Sequence, residues 1–371
     1  MKYYLVAGEA SGDLHASNLM KSIAARDARA QFRCYGGDMM EAAGGTVVRH
    51  YRDLAYMGWW PVLTHLGTIL RGRKDCFEDL CSWKPDALVL VDYPGFNLSL
   101  ARKVHDSLGI PVYYYISPKI WAWKSWRIRG IRRNVSKLFS ILPFEVGWFS
   151  NRGYEISYVG NPTVDEIAAY RASDCRRPIA AADGKKIVAV LAGSRRTEIS
   201  RNLPKMLDAL KGIEGIRPVL ACAPGIEPEF YDSVIGDSSV EKVYGNTYGV
   251  LESAYAALVT SGTATLETGV FGVPQVVCYR MPLPHVVSLL KPLFIRVRYI
   301  SLVNLVAGCE VVPELVAARF TVDNIRKELV PLLSETPERK AQREGYARMN
   351  GILGPAGAPE RAAGQIVGLL E

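Results

Sequence analysis

Twice along this chain a short apolar run turns through small residues into a pattern with helical spacing. The first run is Tyr3–Ala7, followed by Gly8, Ala10, Ser11 and Gly12, after which Leu14, Leu19, Met20 and Ile23 recur as on one helix face. The second starts at Ile187 and passes through Ala192, Gly193 and Ser194 to Ile199. Each predicts a strand, a tight loop and a helix whose first turn carries unpaired N–H groups and partial positive charge. Such a helix end accepts a phosphate or a sugar hydroxyl. An ordinary βα turn has the same pattern. Neither stretch is a P-loop or G-x-G-x-x-G.

Between and beyond these starts, strand-like runs alternate with helix-like ones. Phe32–Tyr35, Ala87–Val91, Val112–Ile116, Leu138–Leu142 and Ser157–Val159 fall in the first half; Arg217–Ala221, Ala257–Thr260 and Gln275–Cys278 fall in the second. Most are apolar on both faces, as strands of a helix-covered parallel sheet must be. The chain starts over near residue 186, after Gly160-Asn161-Pro162 and a small polar stretch from Ala180 to Lys186. This predicts an α/β chain of two Rossmann-like doubly wound domains, 1–165 and 185–340, with a helical tail at 341–371. Ligands of such sheets bind outside the strand C-termini. Two of them in series are expected to face a cleft, with one substrate on each domain.

Several function classes are disfavoured. No apolar run is long enough to span a bilayer. The opening on a strand, with Lys2 and no apolar leader, predicts no secretory signal. The 7 cysteines are scattered without C-x-x-C, as in a reducing compartment, and neither a disulfide frame nor a zinc site is expected. The net charge of +8 is uneven. From Ser107 to Phe144 there is no carboxylate, while Lys119, Lys124, Arg127, Arg129, Arg132, Arg133 and Lys137 all fall inside. That favours an anionic partner, although a solvated basic helix face would read alike.

Four segments carry candidate chemistry. Ser261-Gly262-Thr263-Ala264-Thr265 opens a helix after a strand and suits a diphosphate, with Glu267 one turn on to accept ribose hydroxyls. A capped helix with an acid near its start would look the same. Ala192-Gly193-Ser194-Arg195-Arg196-Thr197-Glu198 places cations at a first βα turn, where Arg195 or Arg196 could neutralise a leaving diphosphate. No Asp-x-Asp occurs, so metal-free chemistry is expected. Asp92 ends an apolar strand and could serve as a general base or merely cap the next helix; His15 is a lesser candidate base. Finally, Trp59–Lys74 and Val286–Arg298 combine apolar and basic residues as interfacial helices do, and packed core helices would look similar.

Ten motifs in order tie these readings together: LVAGEASGDLH (Leu5–His15), YGGDMM (Tyr35–Met40), LAYMGWWPVL (Leu54–Leu63), YISPKIWAWK (Tyr115–Lys124), LPFE (Leu142–Glu145), VGNP (Val159–Pro162), AGSRRTEI (Ala192–Ile199), SGTATLE (Ser261–Glu267), YRMP (Tyr279–Pro282) and SLVNLVAG (Ser301–Gly308). Together they resemble the lipid-A-disaccharide synthase family, collinear from Leu5 to about Leu315. The resemblance implies an inverting GT-B glycosyltransferase. It would use UDP-2,3-diacylglucosamine and 2,3-diacylglucosamine 1-phosphate to make a β-1,6-linked tetraacyl disaccharide 1-phosphate and UDP, with no cofactor. It implies a cytoplasmic enzyme, peripheral on the anionic inner-membrane surface, with a homodimer left open. It also implies Asp92 as the essential aspartate and Arg195, with Ser194, near the diphosphate. Ser261–Thr265, Glu267 and Asn304 would form the UDP pocket, with Glu9, Ser11, Gly12 and Asp13 on the acceptor side.

The chain departs from the family pattern in places. Tyr93 and Gly95 stand where Ala and Asp are common, which removes a second acid beside Asp92. Ala192 replaces a proline, Asn161 a histidine and Val303 a proline, which bears on loop shape. The rivals are another GT-B enzyme, such as a UDP-GlcNAc 2-epimerase, and a nucleic-acid-binding protein using the 119–137 patch with Trp121, Trp123 and Trp126 as stacking platforms. The second rival leaves Asp92 and SGTATLE idle, so no nucleic-acid partner is expected.

Overall fold

The computed structural model describes residues 1–53, 66–174, 176–180, 184–236, 240–280 and 298–371. The chain forms two compact units, Met1–Pro162 together with Ala356–Glu371, and Thr163–Pro355.

The first unit is a wholly parallel sheet of β1 (Lys2–Ala7), β2 (Gln31–Gly36), β3 (Gly45–His50), β4 (Ala87–Val91), β5 (Val112–Tyr115), β6 (Lys137–Ser140) and β7 (Ser157–Tyr158). Their spatial order is β3-β2-β1-β4-β5-β6-β7. Both faces are buried, and β1 shows why its sequence has no polar alternation. Tyr3, Leu5 and Ala7 pack with Leu19, Ile23 and Ile366 on one side, while Tyr4 and Val6 pack with Leu100 and Val104 on the other. The order reverses between β1 and β4, where Ala7 pairs with Val91. Residues Gly8–Asp13 and Asp92 therefore leave the sheet side by side, at the topological switch point where such sheets bind ligands.

The second unit repeats the plan with β8 (Lys186–Leu191), β9 (Ile216–Cys222), β10 (Glu241–Tyr244), β11 (Ala256–Thr260), β12 (Gln275–Tyr279) and β13 (Glu314–Val316), in the order β10-β9-β8-β11-β12-β13. Its switch point lies between β8 and β11, where Leu191 pairs with Val259. Ala192–Arg196 and Ser261–Thr265 thus emerge together.

Two features differ from the sequence-based expectation. Strands β3, β10 and β13 have no counterpart in it. All three are sheet edges, half-exposed and mixed in polarity, so they lack the doubly apolar signature. The residues set apart as a tail at 341–371 are not one element. Helix Pro337–Leu353 belongs to the second unit, where Gln342 exchanges hydrogen bonds with the backbone of Gln275. Helix Ala358–Gly368 belongs to the first, buried against helix Ala10–Ala24, with Arg361 Nε donating to the Val159 carbonyl at 2.7 Å. A helical pattern shows a buried face but not which sheet buries it.

Candidate active site

A cavity of about 770 Å³ opens at the switch point of the second unit. Its floor is the end of β8 and β11, with Gly193, Ser194, Thr260 and Ser261; helix Thr263–Phe271 points its first turn, Thr263 and Ala264, into it. Gly262, at φ 150°, holds a backbone conformation that side chains resist, and this turns the strand sharply into the helix. The far wall is Tyr244–Tyr248, Tyr170 and Arg177. Glu267 lies one turn into the helix and lines the cavity, beside the Tyr248 hydroxyl at 3.3 Å. Burial, then the neighbouring charge of Glu166, pushes its carboxyl up to about 7, with the Tyr248 hydrogen bond pulling the other way.

Tyr248 and Glu198 line this cavity; Tyr248 is not singled out from sequence, and Glu198 falls in the Ala192–Glu198 segment without being given a role there. Glu198 accepts from Ser194 N at 3.3 Å and from Arg195 Nη1 at 2.9 Å, so it fixes the loop that would meet an anion. Its signal was its place three residues past the helix cap, Arg195. The Arg195 side chain itself is 68% exposed and stands at the rim, not among the lining residues.

Two expected pocket residues do other work. Thr265 is fully buried and does not line the cavity; its hydroxyl donates to Gly262 O at 2.8 Å and accepts from Leu302 N. Asn304 is also fully buried. Its amide donates to Val312 O and Glu314 Oε1 and accepts from Val311 N and Val312 N, so it fastens the turn into β13 and has no capacity left for a nucleotide.

In the first unit, β4 ends in an elbow. Asp92 and Tyr93 are consecutive non-glycine residues in the left-handed region, at φ 45° and φ 46°. Each such residue costs roughly 1–3 kcal/mol, which the surroundings must offset. Asp92 keeps an exposed face, while the protein packed around its carboxyl raises its pKa. The Lys119 charge and the Tyr93 N–H act in the opposite direction. A carboxylate at a switch point, crowded but reachable from solvent, is placed to take a proton from a hydroxyl.

The opening loop serves this elbow directly. A Cβ on Gly8 would lie 2.3 Å from Tyr93 Cδ1, so the missing side chain is the space that the Tyr93 ring occupies. A Cβ on Gly12 would meet Ala7 Cβ at 3.3 Å, a tight but smaller intrusion. Asp13, expected on the acceptor side, is instead a buried cap: its carboxylate accepts from Gly37 N, Met39 N and Met40 N at 2.8, 3.1 and 3.1 Å, joining LVAGEASGDLH to YGGDMM. Ser11 is exposed and Glu9 half-buried, with the Glu9 charge felt at Tyr93. Burial pushes His15 down to about 4, so it is a neutral imidazole at physiological pH.

The basic stretch 119–137 is not a row of aromatic platforms. Trp121 is buried and its indole donates to Glu145 Oε1 at 2.6 Å, while Trp126 is 66% exposed. Glu145, which also accepts from Ser140, is pushed up to about 7 by burial. Of the two amphipathic segments, residues 59–65 and 286–297 lie outside the described residues, as do LAYMGWWPVL and part of YRMP. Among the described residues, no helix is long and apolar enough to cross a membrane.

Two parallel-sheet units, each with its candidate groups at the switch point, define a GT-B-type fold. Solved structures agree: a UDP-GlcNAc 2-epimerase from Neisseria meningitidis bound to UDP-GlcNAc superposes with a TM-score of 0.61 at 13% identity, over 100% of this chain and 99% of that one. A calicheamicin glycosyltransferase gives 0.62 at 17% identity, over 99% and 98%. Sequence narrows the class. The family model for lipid-A-disaccharide synthetase matches residues 3–354. The lipid-A-disaccharide synthase of Myxococcus xanthus is 38% identical over 99% of this chain and 97% of the relative, and that of Syntrophus aciditrophicus is 37% identical over 97% and 95%. The chain belongs to the lipid-A-disaccharide synthase family and is a glycosyltransferase.

Proposed function

We propose that the second unit holds the donor UDP-2,3-diacylglucosamine and that Asp92 of the first activates the 6-hydroxyl of 2,3-diacylglucosamine 1-phosphate, giving the β-1,6 disaccharide and UDP. The observation that carries this is the cavity at β8 and β11. Its size suits a nucleoside diphosphate. It combines a helix N-terminus over Ser261–Ala264 with a carboxyl, Glu267, suited to a ribose diol. Inverting displacement needs a base on the attacking hydroxyl and positive charge for the leaving UDP. Asp92 supplies the first; Arg195 and the helix end supply the second, without a metal ion. Exposed Trp126 beside Arg127, Arg129 and Arg132, with the net charge of +8, supports peripheral attachment to an anionic membrane face.

The test is to incubate the protein in detergent with both substrates and EDTA, following disaccharide and UDP. Product at the same rate with and without EDTA is expected. No disaccharide, or disaccharide only after magnesium is added, would overturn the mechanism. Co-sedimentation with anionic but not zwitterionic vesicles is expected for the attachment.

A further inference from the structure

The carbonyl of Asp92 is held by more than its turn needs. Tyr114, on β5, donates its hydroxyl to that oxygen at 2.5 Å. Asn97, on helix Pro94–Leu108, donates Nδ2 to it at 2.8 Å. The same Nδ2 lies 3.3 Å from Val91 O and 3.4 Å from Val6 O, so one amide spans the ends of β4 and β1 at the switch point. Both side chains are fully buried. The next residue's ring, Tyr93, is seated in the space over Gly8 and stacks on Phe96 at 5.9 Å. Strand, neighbouring strand and following helix thus all converge on the 92–93 peptide.

We propose that Tyr114 and Asn97 are positioning residues for the acceptor base: by clamping the Asp92 carbonyl they hold two successive residues in the left-handed conformation and so aim the Asp92 carboxylate outward from the sheet end. The proposal rests on Asp92 being that base. A connection that merely reversed direction would be met by glycine at little cost. Here non-glycine residues are kept in a strained geometry, and two buried donors, which would be costly to leave unpaired, meet at the one carbonyl that belongs to the base, which is also the shortest of the Asn97 contacts. Burial, and then the Asp92 charge, keep the Tyr114 hydroxyl protonated far above working pH, so it donates throughout.

The test uses Tyr114→Phe, which deletes one hydroxyl. Its kcat is expected to fall about 10- to 100-fold, with KM for the UDP-sugar within about twofold, because a small misplacement of a reacting group costs rate and not nucleotide binding. The acid limb of its kcat–pH profile, set by Asp92, is expected to shift. Tyr114→Phe combined with Asp92→Asn is expected to be no slower than Asp92→Asn alone. Asp92→Asn at the wild-type rate would remove the base and the clamp together. An inactive Asp92→Asn with Tyr114→Phe at wild-type kcat, or with fully additive losses, would overturn the clamp alone. If Tyr114→Phe unfolds below assay temperature, Asn97→Ser removes the other donor and faces the same criteria.

Discussion

The hydroxyl of Tyr248 meets Oε1 of Glu267 at 3.3 Å, inside the cavity of the second unit. The same hydroxyl lies 3.2 Å from Glu166 Oε2, and a phenol has one proton to donate. Both carboxyls are raised by burial, Glu267 to about 7; the charge of Glu166 adds to the rise at Glu267, and that of Asp165 to the rise at Glu166. A ribose diol donates to an ionised carboxylate, so nucleotide binding competes with a proton. UDP affinity is therefore expected to rise with pH through about 7 and to level off above it. The phosphates titrate too, so the comparison is with Glu267→Gln, which should bind about 10-fold more weakly and lose the carboxyl's share of the pH dependence. Calorimetry from pH 6 to 8.5 measures both; parallel profiles would rule this linkage out.

Stability carries the opposite sign. A carboxyl raised from its ordinary 4.5 to about 7 holds more proton folded than unfolded across that interval, so folding weakens as pH rises through it. Glu145 is raised to the same extent by burial and adds to the slope. The melting temperature of the ligand-free protein is expected to fall from pH 5 to pH 7.5. Glu267→Gln should flatten the curve and melt higher at pH 8, as a thermal scan at several pH values would register.

Arg195 offers a separation of catalysis from stability. In its ion pair with Glu198 the guanidinium end is solvated, and such pairs contribute little, up to about 1 kcal/mol. Arg195→Ala should leave the melting temperature within about 2 °C, while kcat falls about 10²- to 10³-fold through lost stabilisation of the leaving diphosphate. A rate within threefold of wild type would exclude Arg195 from that task.

Strands in the middle of each sheet were legible because both faces are buried and most of their residues are apolar, all of them in Ala87–Val91. The edges β3, β10 and β13 were not, since their half-exposed faces admit polar residues and break the apolar run. At the site the limit was direction. Spacing placed Thr265, and the family resemblance Asn304 and Asp13, near the right loops, but whether a short polar side chain faces a cavity or turns back to satisfy buried N–H groups depends on contacts distant in sequence, such as Asp13 with Gly37 or Thr265 with Leu302. Asn97 did leave a trace: an amide on the buried face otherwise made by Phe96, Leu100, Ala101 and Val104.

Asp13 then becomes a stability residue. Its carboxylate answers three N–H groups at the start of helix Asp38–Ala42, and its removal leaves them unpaired in a buried place. Asp13→Ala should destabilise the protein by about 2–4 kcal/mol. Below its melting temperature, KM for the acceptor should stay within twofold. A large rise in acceptor KM without loss of stability would return Asp13 to the acceptor side.

Gly8 joins the opening loop to the base through a single absent atom. Gly8→Ala would place a Cβ 2.3 Å from the Tyr93 ring, well inside contact distance, and the ring must leave its place over the loop. Overpacking of this kind costs about 1–3 kcal/mol. Because Tyr93 is the second residue of the strained elbow, its displacement should also move Asp92, and kcat should fall at least 10-fold while UDP binding to the second unit is unchanged. Gly8→Ala with Tyr93→Ala removes the clash but also the packing of the ring, so it should regain only part of the lost stability. It should not regain the rate, because the stack of Tyr93 on Phe96 that helps seat the elbow is gone as well. Thermal melts and steady-state rates on the two variants separate these outcomes; full rate in Gly8→Ala would mean that the elbow does not depend on the loop.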